Sequence, residues 1–221
     1  MEDKVFYRRH LPHYQPKNAI YHLVFRLDGS LPQSAIDRLR KERVIEEQNA
    51  LRATDRIKVK GVLTRIREAH FKKFDALLDG CLSGPVWLRT DAVAAIVAES
   101  LHYRDGKVYD LVAYCIMPNH VHLLAHVGRP VWSSHTAKPS EPYAVTKILE
   151  NLKWYTALKC NEVLGRSGQF WEHESYDHVV RDGRLFTTIH YVLDNPVKAG
   201  LVVAAEDWKW SYCKPGILDK E

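Results

Sequence analysis

Two neighbouring β-strand patterns constrain the fold of this chain more than any other feature. Residues 108–117 form an almost continuous apolar run, and residues 120–127 form a second strand pattern in which histidines are interspersed with apolar residues. Between them stand Pro118 and Asn119, residue types that favour turns. Two such strands joined by a tight turn predict an antiparallel hairpin. We expect the second strand of this hairpin to lie in the middle of a sheet.

The second strand carries His120 and His122 on either side of Val121. Residues two apart on a strand project from the same face, so both imidazoles point the same way while Val121 points into the core. Imidazole is a common ligand of divalent metals, and a strand holds both rings rigidly. A bare His-x-His pair is nevertheless more often a pair of ordinary surface residues, and the spacing alone leaves both interpretations open.

The rest of the chain alternates between strand and helix patterns. A β-rich segment at 19–27 ends at the turn residues Asp28 and Gly29. It contains His22, which as a lone histidine we interpret as a packing or surface residue. Apolar residues at helical spacing and end signals predict helices over 34–49, 54–79, 90–103 and 145–158.

A further helix is predicted over residues 184–194, ended by Asn195-Pro196. Its apolar residues gather on one side at about 100° per residue, and Tyr191 lies on the opposite, polar side. Arg184 and Asn195 share the face of Tyr191, because they stand seven residues before it and four after it. A tyrosine flanked by a cation and an amide is a candidate active site. Two other tyrosines, Tyr155 and Tyr176, are weaker candidates.

Two longer strings carry a family resemblance. Residues 114–124 (YCIMPNHVHLL) and 191–202 (YVLDNPVKAGLV) resemble the His-hydrophobic-His strand and the tyrosine helix of the HUH single-tyrosine transposases, in particular the group associated with repetitive extragenic palindromes (REP), which is IS200-like. The resemblance implies an α+β fold: a ferredoxin-like antiparallel sheet with helices on one face. It also implies a single domain over 1–221, with a helical insertion at about 32–82.

The resemblance implies a role for each site residue. Tyr191 would be the catalytic nucleophile, and His120, His122 and Asn195 would bind a divalent metal ion, Mg²⁺ or Mn²⁺. The implied function is a DNA transposase that nicks and rejoins single-stranded DNA near hairpins through a 5′-phosphotyrosine intermediate. The residues expected to contact the DNA are Lys147, Lys153, Arg181, Arg184 and Lys198. Relatives include monomers and dimers, so a homodimer is one of two expected states.

Two other functions stay open at this point. One is a domesticated DNA hairpin-binding protein whose metal and tyrosine contribute little. The other is a metal-dependent nuclease that attacks with water and leaves no protein–DNA adduct. The presence of both histidines and the tyrosine favours the transposase.

Composition sets broader limits. The formal net charge of +5 permits nucleic-acid binding without being diagnostic of it. The four cysteines form no C-x-x-C pair, so we expect free thiols and a cytoplasmic location. The apolar runs are too short to cross a bilayer, and a membrane partner is not expected.

Overall fold

The structure is a computed structural model, and it describes residues 6–8, 12–14, 16, 18–53, 55–80, 83–128 and 144–220. Contacts between residues divide the chain into two compact units. The sheet unit consists of Met1–Asp28 and Trp87–Glu221, and the helical unit is Gly29–Val86. The helical unit overlaps the segment predicted as an insertion; that it is inserted relative to other proteins stays a prediction.

The sheet unit contains a five-stranded antiparallel sheet. Its strands are β3 (Ala19–Arg26), β4 (Asp110–Ile116), β5 (His120–Val127), β6 (Tyr176–Val179) and β7 (Ser211–Cys213). Their spatial order is β6-β3-β5-β4-β7, so β5 lies in the middle as predicted. Two short strands, β1 (Phe6–Arg8) and β2 (Pro12–Tyr14), form a separate antiparallel pair.

One face of the sheet is covered by two helices, α3 (Asp91–Arg104) and α4 (Ala144–Val163). Alternate residues of β5 point toward them, including Val121 and Leu123, which are fully buried. Burial of each such side chain stabilises the fold by roughly 1.5–3 kcal/mol. The chain order of these elements, βαββαβ from β3 to β6, together with their strand order, is that of a ferredoxin-like sheet with its two helices on one face. The α+β prediction is therefore confirmed.

The opposite face is covered by a third helix of this unit, α5 (Leu185–Leu193). Ile189 and Val192 of α5 are fully buried in a second apolar cluster, which includes Leu124 of β5. A short helix, α6 (Asn195–Lys198), follows immediately, with a proline in its first turn. The predicted placement of helices on one face thus holds for α3 and α4, whereas α5, which follows β6, packs on the other side because its apolar residues match the second cluster.

The segment after α6 returns to the edge of the sheet. Trp208 donates its indole N–H to the carbonyl oxygen of Ile116 at 3.0 Å, and Tyr212 of β7 stacks on Tyr114 with ring centroids 5.5 Å apart. These contacts close the apolar core beside β4. Within the described ranges, no helix combines the length and hydropathy needed to cross a membrane.

The helical unit consists of α1 (Gln33–Ala53) and α2 (Arg56–Asp79). The two helices run in opposite directions, as two ion pairs show: Glu47 pairs with Arg67 at 2.9 Å, and Glu42, earlier in α1, pairs with Lys73, later in α2, at 3.6 Å. Gly84 closes the unit in a left-handed conformation, and a Cβ there would lie 2.2 Å from the carbonyl oxygen of Gly29. Glycine is therefore required at this position.

Candidate active site

The site begins with the two histidines of β5. His122 lies between Val24 of β3 and Cys115 of β4, while His120 lies beside Arg26 of β3. Both imidazoles point to the face that α5 covers, and both are fully buried. Their Nε2 atoms are 2.9 Å apart. The alternation that the sequence predicts therefore places the pair side by side.

Each imidazole is held from behind by a further polar side chain. The Nδ1 atom of His120 lies 2.6 Å from the amide oxygen Oδ1 of Asn119, and the Nδ1 atom of His122 lies 3.0 Å from Nε2 of His22. His22 stacks on His122 with ring centroids 5.3 Å apart. A row of four side chains results, in the order Asn119, His120, His122, His22. The two inner residues face each other through their Nε2 atoms.

Tyr191 of α5 lies against this row. Its ring centroid is 6.0 Å from that of His22 and 6.3 Å from that of His122, edge-on in both cases. The side chain is half-buried at the margin of the second apolar cluster. The helix places it there because Ile189 and Val192, its near neighbours in sequence, are buried against the sheet. The ammonium of Lys198 lies 4.0 Å from the centroid of the Tyr191 ring.

Asn195 stands one turn beyond Tyr191 and is fully buried. Its amide nitrogen donates to the carbonyl oxygens of Tyr191 and Val192, at 3.0 and 3.2 Å. Two carbonyl acceptors fix the orientation of the amide, so its oxygen Oδ1 points the other way. That oxygen is buried and has no hydrogen-bond partner among the described residues. A buried acceptor left in this state has the chemistry of a cation ligand.

These donors are suited to a divalent metal ion. Burial lowers the pKa of His122 to about 3, and the positive charge of Lys198 adds to the effect, so the ring is neutral at pH 7. Neutral imidazole is the form that binds a metal. The two facing Nε2 atoms, 2.9 Å apart, are close enough for one ion to be bound by both. The buried oxygen of Asn195 is of the hard type that Mg²⁺ and Mn²⁺ prefer, and its membership of one site with the two histidines stays a prediction.

The cationic residues proposed for DNA lie on two sides of the sheet. Arg181, Arg184 and Lys198 are exposed and belong to the segments around α5, on the face of the histidines. Lys147 and Lys153 belong to α4, on the opposite face. Lys153 donates to the carbonyl oxygens of Glu172 and His173, at 2.8 and 3.2 Å, which indicates a part in holding that loop.

The two competing tyrosines differ in placement. Tyr155 is on α4, across the sheet from the histidines, where the guanidinium of Arg104 lies 6.0 Å from its ring. Tyr176 is on β6 and pairs with Val24, so it projects from the same face as His22. The ring of Tyr191 meets two of these histidines, His22 and His122, edge-on.

Sequence reasoning missed two residues of the row. His22 was interpreted as a packing or surface residue, and Asn119 as part of a turn. For Asn119 the adjacency to His120 was the available signal, since an amide one residue away can reach the ring. For His22 the only signal was its β-strand context, because its partner is 100 residues away.

The fold and site together define an α+β protein in which a buried histidine pair and a helical tyrosine meet on one face of a ferredoxin-like sheet. The chain also matches the sequence of a Haemophilus influenzae (strain ATCC 51907 / DSM 11121 / KW20 / Rd) protein named "Putative REP-associated tyrosine transposase", with 29% identity over 105 residues. The predicted resemblance to the REP-associated tyrosine transposases is confirmed by this match.

The match has a limited extent. It covers 47% of this chain, and the chain spans only 58% of the length of that relative. No family model matches the chain. A solved structure described as a REP-associated tyrosine transposase bound to a REP hairpin aligns with 93% of this chain and 80% of its own, at 14% identity and a TM-score of 0.46.

Proposed function

We propose that this protein is a metal-dependent transposase-type enzyme that cleaves and rejoins single-stranded DNA beside a hairpin, with Tyr191 as the nucleophile. The partner is single-stranded DNA with hairpin or palindromic structure. The observation that carries the proposal is the position of Tyr191: the structure brings its ring within 6.0 Å of His22 and 6.3 Å of His122, measured between centroids. A tyrosine with only a structural role needs no such neighbours.

Tyr191 acts by forming a covalent bond to DNA. Its phenolic oxygen attacks the scissile phosphorus, the bond from phosphorus to the 3′-oxygen breaks, and the 3′-oxygen takes up a proton to leave a 3′-hydroxyl. The phenol's proton passes to solvent. The product is a 5′-phosphotyrosine. Because the phosphodiester energy is conserved in that bond, a 3′-hydroxyl can attack it, re-form a DNA strand and release Tyr191.

The neighbours of Tyr191 favour this reaction electrostatically. A phenol has an ordinary pKa near 10 and is a weak nucleophile at neutral pH. The Lys198 ammonium over the ring stabilises negative charge as the phenol loses its proton. The exposed guanidinium groups of Arg181 and Arg184, on the same face, can bind the phosphates that flank the cleavage point.

His120, His122 and Asn195 are the residues that would bind a divalent ion, Mg²⁺ or Mn²⁺. When bound, such an ion supplies Lewis-acid stabilisation of the charge that develops on the phosphate. The chain's own contribution is to keep the His122 imidazole neutral by burial and to direct the Asn195 oxygen away from the backbone carbonyls. The buried surroundings also strengthen each interaction with the phosphate, because water is excluded.

The test is detection of a covalent adduct. The protein is incubated with 5′- and 3′-labelled single-stranded hairpin DNAs and Mn²⁺, and the products are separated on a denaturing gel. We expect a detergent-resistant protein–DNA adduct that disappears with Tyr191→Phe and on addition of EDTA. Tyr176→Phe is the matched control, since it removes one hydroxyl from the same face of the sheet.

Each other outcome points to a different function. Loss of the adduct with Tyr176→Phe rather than Tyr191→Phe would reassign the nucleophile. Cleavage that persists in Tyr191→Phe without an adduct would identify a nuclease that uses water. Tight hairpin binding without cleavage, over a broad set of hairpins and both metals, would identify a DNA-binding protein.

A further inference from the structure

We propose that His22 is a positioning residue that fixes the proton of His122 on Nδ1, and thereby presents Nε2 of His122 as a metal ligand. This inference rests on the proposed metal site and adds to it a residue from a distant part of the chain. It depends on the arrangement of ring nitrogens in the row Asn119, His120, His122, His22.

His120 and His22 lie on opposite sides of the His122 ring and therefore have different roles. The two Nε2 atoms that face each other, 2.9 Å apart, belong to His120 and His122. His22 is on the far side of His122, at the Nδ1 atom, 3.0 Å away. An ion held between the facing Nε2 atoms would therefore be bound by His122 and supported, but not bound, by His22.

A neutral imidazole carries one proton, on either Nδ1 or Nε2. For His120 the amide oxygen of Asn119 accepts from Nδ1 at 2.6 Å, which leaves Nε2 with its lone pair. For His122 the corresponding acceptor is Nε2 of His22. When that nitrogen accepts, the His122 proton stays on Nδ1 and Nε2 is available. Without an acceptor at this position, His122 is free to protonate Nε2 instead, which blocks the ligand atom.

The fold holds His22 rigidly for this task. On β3 its cross-strand neighbours are Leu124 of β5 and His178 of β6, so its strand is hydrogen-bonded on both sides. Its side chain is 4% exposed, stacks on His122 and meets the ring of Tyr191 edge-on. A diagonal position across the strands brings its ring beside His122 rather than opposite it. Partners that orient a ligating histidine typically contribute 10–100-fold to metal affinity.

The test compares two near-isosteric substitutions, His22→Gln and His22→Met. The side-chain amide of glutamine can place a hydrogen-bonding group near the position of His Nε2, whereas methionine fills similar space without one. Mn²⁺ affinity, measured by the loss of the free-ion electron paramagnetic resonance signal, should fall about 10–100-fold in His22→Met and recover largely in His22→Gln. The control His102→Met removes a histidine on the other side of the sheet unit, which contacts Tyr114, and should leave affinity unchanged.

A spectroscopic measurement separates this role from simple packing. Long-range ¹H–¹⁵N correlation of the histidine rings in the Mg²⁺-loaded protein should show the His122 proton on Nδ1 in wild type and in His22→Gln. In His22→Met at the same Mg²⁺ concentration, a population with the proton on Nε2 should appear. Thermal unfolding of each variant reports whether it is folded. If His22→Met does not fold, His22→Gln can still be compared with wild type.

The outcomes distinguish this inference from the proposed function. Equal Mn²⁺ affinity in wild type and His22→Met, or an unchanged His122 proton position, would overturn the role of His22 while leaving the metal site intact. Failure of wild type to bind Mn²⁺ would overturn both. Mn²⁺ binding that needs His22, in a protein that forms no DNA adduct, would support the role of His22 and overturn the transposase function.

Discussion

The two faces of β5 differ sharply although they belong to the same eight residues. One face, with Val121 and Leu123, joins a large apolar core under α3 and α4. The other face carries His120 and His122, with only Leu124 joining the smaller cluster under α5. Strict alternation allows one strand to stabilise the fold on one side and to hold buried imidazole rings on the other. The residues that stabilise the fold and the residues of the proposed site therefore share one strand backbone, but they can be substituted separately.

The largest expected effect is the loss of stability when one buried leucine is shortened on either face of β5. Leu123→Ala and Leu124→Ala each remove a fully buried side chain, so each should lower the free energy of unfolding by about 2–5 kcal/mol. Leu124 belongs to the cluster that seats α5, so its truncation should also reduce adduct formation at temperatures where the protein is folded. Leu123→Ala should not reduce adduct formation at those temperatures. Urea unfolding and the adduct assay measure the two effects.

A result in which both variants lose stability and activity in proportion would contradict this separation of the faces. Leu124→Met serves as the control, since it nearly conserves volume and should cost less than about 1.5 kcal/mol.

A second, smaller effect is a pH dependence confined to the histidine face. The pKa of His122 is about 3 in the folded protein and about 6.5 in an unfolded chain. Between these values the unfolded chain binds more protons, so stability is fully present above about pH 6.5 and falls as the pH is lowered toward 3. Urea unfolding with EDTA from pH 7 to 4 should show this loss, on the order of a few kcal/mol.

The substitution His122→Leu tests the source of that dependence. It removes the titrating ring and should flatten the pH profile relative to wild type, whereas Leu124→Met, which changes no titratable group, should leave the slope unchanged. Parallel profiles for wild type and His122→Leu would show that other groups cause the acid sensitivity.

The smallest expected effect concerns surface charge. Lys198→Gln and Lys147→Gln each neutralise one exposed lysine, on the histidine face and on the α4 face respectively. If DNA passes over the histidine face, Lys198→Gln should reduce the slope of log affinity against log salt by about 1, and Lys147→Gln should leave it unchanged. Fluorescence anisotropy with a labelled hairpin at several salt concentrations measures the slopes. The reverse result would place the DNA over α4.

Much of the fold could be predicted from local pattern. The hairpin at 108–127 followed from two strand patterns and a Pro-Asn turn, and β5 occupies the predicted residues. The two faces of β4 could not be assigned, because its residues are almost all apolar and the strand is irregular between Leu111 and Ala113. Such an irregularity shifts the alternation, so that residues beyond it face the opposite side of the sheet from the one expected. Nothing in the composition of β4 indicates it.

The site was predictable in part for the same reason. The shared face of His120 and His122 and the polar-side position of Tyr191 follow from short-range spacing, which a sequence displays directly, whereas the roles given to these residues rest on the family resemblance and stay predictions. His22 joins the row only through the pairing of β3 with β5, which is a tertiary contact. The location of α5 on the second face likewise depends on which apolar cluster it matches, and its own periodicity does not distinguish the two.

The spread of the site along the chain has a consequence for biosynthesis. Its residues run from His22 to Asn195, and β3 must pair with β5 before His22 can meet His122. A nascent chain that has emerged only as far as α4 contains all four residues of the histidine row but lacks α5, and with it the proposed nucleophile. The proposed nucleophile is therefore synthesised after the histidines, so under this proposal a chain that ends before α5 cannot attach itself to DNA through Tyr191.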